Sequence, residues 1–165
     1  MIKILVINTV RFKLNGISAV IKNYYRAMDK ENIKMDFLAI DDPSEEYQAF
    51  FEENNLNCFV QYKKNIVDYF KGIIKLCRQE KYDIVHIHGN SANMAIELLA
   101  VTFGGVKVKI THSHNTATMH PCMHKMLWPL FAKLCTVRLA CGEDAGKWLY
   151  REQKFTVLNL SLIHI

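Results

Sequence analysis

No C-x-x-C pair occurs anywhere in the 165 residues, and the five cysteines, at positions 58, 77, 122, 135 and 141, form an odd set. Neither a disulfide framework nor a zinc ribbon is indicated, and a reducing cytoplasm is the simplest compartment. G-x-G-x-x-G is missing as well: the loop "NTVRFKLNGIS" contains a single glycine, Gly16. A dinucleotide site needs those glycines to bring backbone against the pyrophosphate, so NAD and FAD are disfavoured. Without G-x-x-x-x-G-K-[ST] there is no P-loop either. No segment approaches the ~18 consecutive apolar residues of a membrane span. The opening "MIKILVINTV" breaks at Asn8, too early for a signal-peptide core followed by a cleavage site. No run of like charges extends beyond two residues. The net charge of +5 comes from scattered Lys and Arg, with no basic and aromatic repeat to track a nucleic acid. An anionic membrane surface or a phosphorylated substrate fits that balance.

What is present is a chain half hydrophobic and about a fifth charged, one ordinary domain in length and long enough to bury a core. Short apolar runs alternate with stretches of helical period. "IKILVI" (2–7) is a strand, and Ile17, Val20, Ile21, Tyr24 and Met28 mark a helical face. A strand is expected at 34–40, a helix over 43–55 that opens with Pro and acidic residues, a short strand at 57–62, and a helical face through Ile66, Phe70, Ile73 and Cys77. Strands follow at 83–88, 106–111 and 138–141, separated by helices over 91–103 and 122–135, with a last helix from Glu143. Such alternation with short connections predicts a doubly wound, mostly parallel, Rossmann-like α/β sheet.

Ligands of open α/β sheets sit beyond the carboxyl ends of the strands. The residues to weigh there are Asn8, the Asn15-Gly16 loop, His86 with His88, Gly89 and Asn90, His112 through Asn115, and Gly142 with Glu143. His86 and His88 share one side of a strand, as do His112 and His114. Three uses of these pairs compete: metal ligation, for which no carboxylates accompany them at matching strand ends; bonding to neighbouring backbone, the expectation for His86 deep in its strand; and contact with a sugar hydroxyl or phosphate, the expectation for His112 at its strand's end. His120 and His124 are four apart, but Pro121 intervenes and no H-E-x-x-H glutamate is present, so a solvated helix start is expected. Gly16 stands before a helix whose free N–H groups suit an anion; a turn residue at positive φ is the other reading. The segment 119–138 mixes large apolar residues with Lys125, Lys133 and Arg138 and has no acid. It is expected to be a core helix with snorkelling basic side chains, or a patch resting on anionic lipid.

The ordered set "MIKILVINTV…NGISAVIKNYYRAM", "YDIVHIHG", "KVKITHSHNT" and "RLACGEDAGKWLY…KFTVLN" resembles the N-terminal, acceptor-side domain of family-4 glycosyltransferases of the bacterial capsular and exopolysaccharide kind. The resemblance spans residues 1–159. It implies the two-domain B-type architecture and retaining transfer of a sugar from a nucleotide-diphosphate donor to a saccharide or lipid-linked acceptor. No obligatory metal or other cofactor is implied, and the setting is the cytoplasm or the inner face of the membrane. Asn15 and Gly16 match the family's loop near the donor phosphates. His112 matches the strand-end histidine thought to contact the reacting sugar, with His88, Gly89, Asn90, Ser113, His114, Asn115 and Glu143 on the substrate side. After Asn159 the family continues with a glycine-containing turn and a donor-binding domain. Here "LSLIHI" (160–165) follows, so a foreign tail on a truncated chain is expected, catalytically silent on its own. A stand-alone module for a small anion and a metal-dependent hydrolase built on the histidine pairs are the competing function classes.

Overall fold

The structure, a computed structural model, describes residues 1–158; the tail expected from residue 160 lies outside them. Seven parallel strands form one sheet in the order β3-β2-β1-β4-β5-β6-β7: β1 (Ile2–Asn8), β2 (Ile33–Ala39), β3 (Cys58–Val60), β4 (Ile84–Gly89), β5 (Val108–Ser113), β6 (Val137–Ala140) and β7 (Thr156–Val157). The helices are α1 (Gly16–Ala27), α2 (Glu45–Glu53), α3 (Ile66–Glu80), α4 (Ala95–Phe103) with a 3₁₀ turn before it (Ala92–Met94), α5 (Pro121–Leu134) and α6 (Glu143–Tyr150). Strand order reverses between β1 and β4, which makes the carboxyl ends of those two strands the topological switch point.

Period-two alternation divides the core. Leu5, Ile7, Val85 and Ile87 face α3, α4 and α5, whereas Val6, Phe37 and Ala39 face α1 and α2 with a cluster of aromatic rings. Phe12 from the β1–α1 loop inserts into that second cluster, edge-on to Phe37 and Phe51. One buried ring thus ties an otherwise polar loop to the sheet, at about 2 to 3 kcal/mol for an aromatic of this burial.

Helix α1 starts where it does because the Asn15 side chain accepts from the Ser18 amide at 2.9 Å, and Ile17, Val20 and Ile21 lie on its inner stripe. Helix α5 has Pro121 in its first turn, where the missing N–H costs nothing. Phe131 of α5 lies in the core, with Leu127, Trp128, Leu130 and Leu134 packed against it, while Met123 and Met126 are exposed on its outer face, as is Met119 just before it. Two differences from the expected elements matter. The stretch 91–103 begins as a 3₁₀ turn capped by Ser91 rather than as α-helix. Strand β5 runs through Ser113 instead of stopping at Thr111.

Candidate functional site

The extension of β5 relocates the histidines. In register, Asn8 of β1, His88 of β4, His112 of β5 and Leu139 of β6 stand side by side on the α1-facing surface. His112 is therefore a sheet residue, 0% exposed, rather than the residue at the strand's mouth. His114, the first residue past β5, takes that position: its ring stacks on His112 with centroids 4.3 Å apart. His86 and His112 stack nearly parallel at 5.6 Å, His86 and His88 lie 4.0 Å apart, and the Tyr24 ring of α1 stands 5.9 to 6.2 Å from His86, His88 and His112. His88 Nδ1 and His114 Nε2 share a hydrogen bond of 2.9 Å.

Burial keeps these rings neutral, because the charged form would lose its hydration. It lowers His86 to about 3, with the neighbouring His114 adding to the effect. It lowers His112 to about 2, helped by His114 and His86, and His114 to about 4. His88 is pushed well below the ordinary imidazole range for the same reason. Burial also raises the Tyr24 phenol to about 12, with Cys141 contributing.

Two cavities meet at the switch point. One, of about 550 Å³, is bordered by Arg11, Lys13, Asn15, Gly16, His114 and Cys141. The other, of about 540 Å³, is bordered by Thr9, Lys63, Ser91, Asn93, Met94 and Met119. Val10, Asn90 and Asn115 belong to both, so the two form one continuous groove over the ends of β1, β4 and β5. A cavity of similar size, about 590 Å³, lies between α2 and β3. Its charged lining is acidic, Asp42 and Glu52, which opposes a phosphate-bearing ligand. The switch-point groove has the better chemistry.

Of the residues expected at the site, the groove brings together Asn15, Gly16, Asn90, His114 and Asn115. The others do not line it. His88 and His112 lie beneath it. Gly89 is buried with Thr9 Oγ1 and the Met94 sulfur where a Cβ would stand. Ser113 is buried and donates to the Ala145 carbonyl at 2.8 Å, fixing β5 to α6. Glu143 is exposed at the start of α6, paired with Lys147 at 3.7 Å. His86 Nε2 has no hydrogen-bond partner among the described residues, so it does not finish its strand by bonding backbone. His124 is buried, not solvated: its Nδ1 accepts from the Ala92 amide at 3.1 Å and its ring stacks on Trp148 at 4.7 Å. Gly16 is not a positive-φ residue, and a Cβ built there meets nothing within 4 Å. Neither crowding nor backbone strain requires glycine at that spot, and a Cβ added there would stand in the groove.

Several groove residues escaped the sequence reading. Arg11 and Lys13 stand beside the N-terminus of α1, where positive charge and free N–H groups act together on an anion. Their two-residue spacing before Asn-Gly was the visible signal. Lys63 is held at the other end by Glu97, a fully buried carboxylate that pairs with its Nζ at 2.5 Å and accepts from the Tyr69 hydroxyl at 2.8 Å. A single acid in the otherwise apolar "AIELLAV" was its trace. The amide oxygens of Asn90 and Asn93 are buried without a partner among the described residues, and both residues border the groove. Buried acceptors of this kind call for donors.

The seven parallel strands in this order, covered by helices on both faces, define the class of Rossmann-like α/β domains. The family model of Glycosyltransferase Family 4 matches residues 14–158, and the chain belongs to that family. A Bacillus subtilis (strain 168) protein named "Putative glycosyltransferase EpsF" is 28% identical over 145 residues, which cover 82% of this chain and 38% of that protein. Among solved structures, MurG of Acinetobacter baumannii superposes with a TM-score of 0.66 at 11% identity, over 95% of this chain and 44% of MurG. The UDP-GlcNAc 2-epimerase of Methanocaldococcus jannaschii, in complex with UDP-GlcNAc and UDP, superposes with a TM-score of 0.61 at 18% identity, over 92% of this chain and 43% of the epimerase. The chain thus spans less than half the length of each of these relatives. No helix among the described residues is long and apolar enough to cross a membrane.

Proposed function

We propose that this chain is the acceptor-side half of a retaining glycosyltransferase that moves a sugar from a nucleotide-diphosphate donor to a saccharide or lipid-linked acceptor of a cell-surface polysaccharide. The observation that carries this reading is the shared groove: a basic, helix-N-terminal end at Arg11, Lys13 and Gly16 runs into an end with unpartnered amide oxygens at Asn90 and Asn93. The first end suits phosphate and the second sugar hydroxyls, which donate to amide oxygens. Family membership and the name of the Bacillus subtilis relative support it.

In the transfer, an acceptor hydroxyl oxygen bonds to the anomeric carbon as the bond from that carbon to the diphosphate oxygen breaks, and the hydroxyl proton passes to the departing diphosphate oxygen, releasing the nucleoside diphosphate. His114 is the imidazole in position to touch sugar. If His88 Nδ1–H donates to His114 Nε2, the polar atom left to His114 is Nδ1–H, a donor to a sugar hydroxyl. His112, assigned the substrate contact by resemblance, acts in this geometry through His114, as a positioning residue stacked beneath it. No metal or other cofactor takes part in the transfer as proposed. Stabilisation of the departing diphosphate falls largely to a second domain, so this chain alone is expected to be silent.

Exposed Met119 borders the groove and continues into Met123 and Met126 of α5, alongside the exposed Lys125. A lipid-linked acceptor entering from the inner face of a membrane would meet this apolar, basic rim.

Calorimetric titration of the purified chain with UDP-N-acetylglucosamine is the test. Weak binding is expected, with Lys13→Ala, Asn90→Ala and His114→Ala each lowering affinity about three- to ten-fold, as for loss of one polar contact. Gly16→Ala should fold normally and bind less well. Binding unchanged by all four variants overturns the assignment. Phosphate alone binding as tightly as the nucleotide-sugar favours the stand-alone anion module.

A further inference from the structure

Beneath the groove, the three imidazoles of His86, His88 and His112 converge, and the proposed transfer uses His88 and His112 only to position His114. One ring nitrogen from each lies within 4.8 Å of the others. His86 Nε2, His88 Nε2 and both nitrogens of His112 are buried with no hydrogen-bond partner among the described residues. A buried imidazole nitrogen without a partner is costly, by about 1 to 3 kcal/mol each. Three converging from two adjacent strands are more than packing explains, since an aliphatic side chain would fill the same space without that penalty.

We propose that His86, His88 and His112 form a binding site for a divalent transition-metal ion of the zinc class, seated between β4, β5 and α1. Neutral imidazole is a preferred ligand of Zn²⁺, Co²⁺, Ni²⁺ and Cu²⁺, and three imidazoles without thiolate or carboxylate select against Mg²⁺ and Ca²⁺. Zinc bonds of about 2.0 to 2.1 Å put tetrahedral ligand atoms roughly 3.4 Å apart, so the rings must close by about 1.5 Å at most, within reach of side-chain rotation.

The cluster also has an outer layer. His88 Nδ1 shares its hydrogen bond with His114 Nε2 at 2.9 Å. With the proton on His88 Nδ1, the His88 Nε2 lone pair is free for the ion, which is the usual way a ligating histidine has its tautomer fixed. The Tyr24 hydroxyl is buried and without a partner among the described residues, and the Tyr24 ring stands almost equally far from the three ligand rings. It offers a bond to water or hydroxide at a fourth position. The ion's role is structural: it ties β4 to β5 directly under His114. It holds whether or not the groove above binds nucleotide-sugar.

The test uses the whole chain, stripped by chelator and titrated with Co²⁺ and then Zn²⁺. Visible ligand-field bands of four- or five-coordinate Co²⁺, saturating at one ion per chain and bleached by Zn²⁺, are expected. His86→Ala, at the one ligand position that is only partly buried, should weaken binding at least ten-fold with its far-UV circular dichroism intact, and His120→Ala at an exposed histidine should bind as the parent does. Long-range ¹H–¹⁵N spectra of the unmutated chain supply a readout that no folding defect confounds: Zn²⁺ should move the ring nitrogens of residues 86, 88 and 112. Absence of the bands, an unaltered affinity in His86→Ala, or ring shifts only at His120 or His124 overturns the proposal.

Discussion

Glu97 shows how one side chain can govern a groove it does not touch. It is fully buried on α4, its Oε1 shared between Lys63 Nζ and the Tyr69 hydroxyl, so Lys63 is held at the groove's edge instead of swinging into solvent. Removing one member of a buried pair leaves the other uncompensated, at about 3 to 5 kcal/mol when both are buried. Lys63 is 28% exposed, so water recovers part of that, and Glu97→Ala should lower unfolding free energy by about 2 to 3 kcal/mol in a urea titration. A change within about 0.5 kcal/mol, typical of surface sites, would remove the pair from any structural role. Residue-level legibility was uneven for a physical reason. Asn90, His114 and Asn115 are polar residues just past strand ends, where topology alone predicts ligand contact. Glu97, His112 and Ser113 are polar residues inside the fold, satisfied or stacked by partners distant in sequence, which no local pattern reveals.

Among the elements, the alternation of strands and helices was readable because each buries a continuous stripe, as α1 does with Ile17, Val20 and Ile21. The boundaries of β5 were not. Lys109 and Thr111 are polar yet buried on one face, and His112 and Ser113 are polar yet still in the ladder, so the strand resembles a loop for its last two residues. Strand β7 has two residues, too few for a period to show. Helix α5 carries two exposed methionines, Met123 and Met126, on either side of the exposed Lys125. If that face meets lipid, the chain should co-sediment with phosphatidylglycerol vesicles at low salt and release as salt rises. Lys125→Glu should lower binding by about five-fold or more, near 1 kcal/mol per lysine at an anionic surface. Equal binding to neutral phosphatidylcholine vesicles, or none to either, would argue against a membrane role for α5.

At the scale of the whole molecule, one sheet carries three layers of consequence. The parallel order β3-β2-β1-β4-β5-β6-β7 places the switch point between β1 and β4. The polar ends of β1, β4 and β5 build the groove there, and the histidine stack supports it from below. The chain covers 38% of its Bacillus subtilis relative, and under the proposed function the groove is one wall of the transfer site. The most direct test of the groove is a backbone amide chemical-shift map of the described chain titrated with UDP-N-acetylglucosamine. Shifts concentrated at Lys13 to Ser18, Asn90 and His114 to Asn115 are expected; shifts confined to the cavity between α2 and β3, around Asp42 and Glu52, or no saturable shifts at all, would contradict the groove as the proposed nucleotide-sugar site.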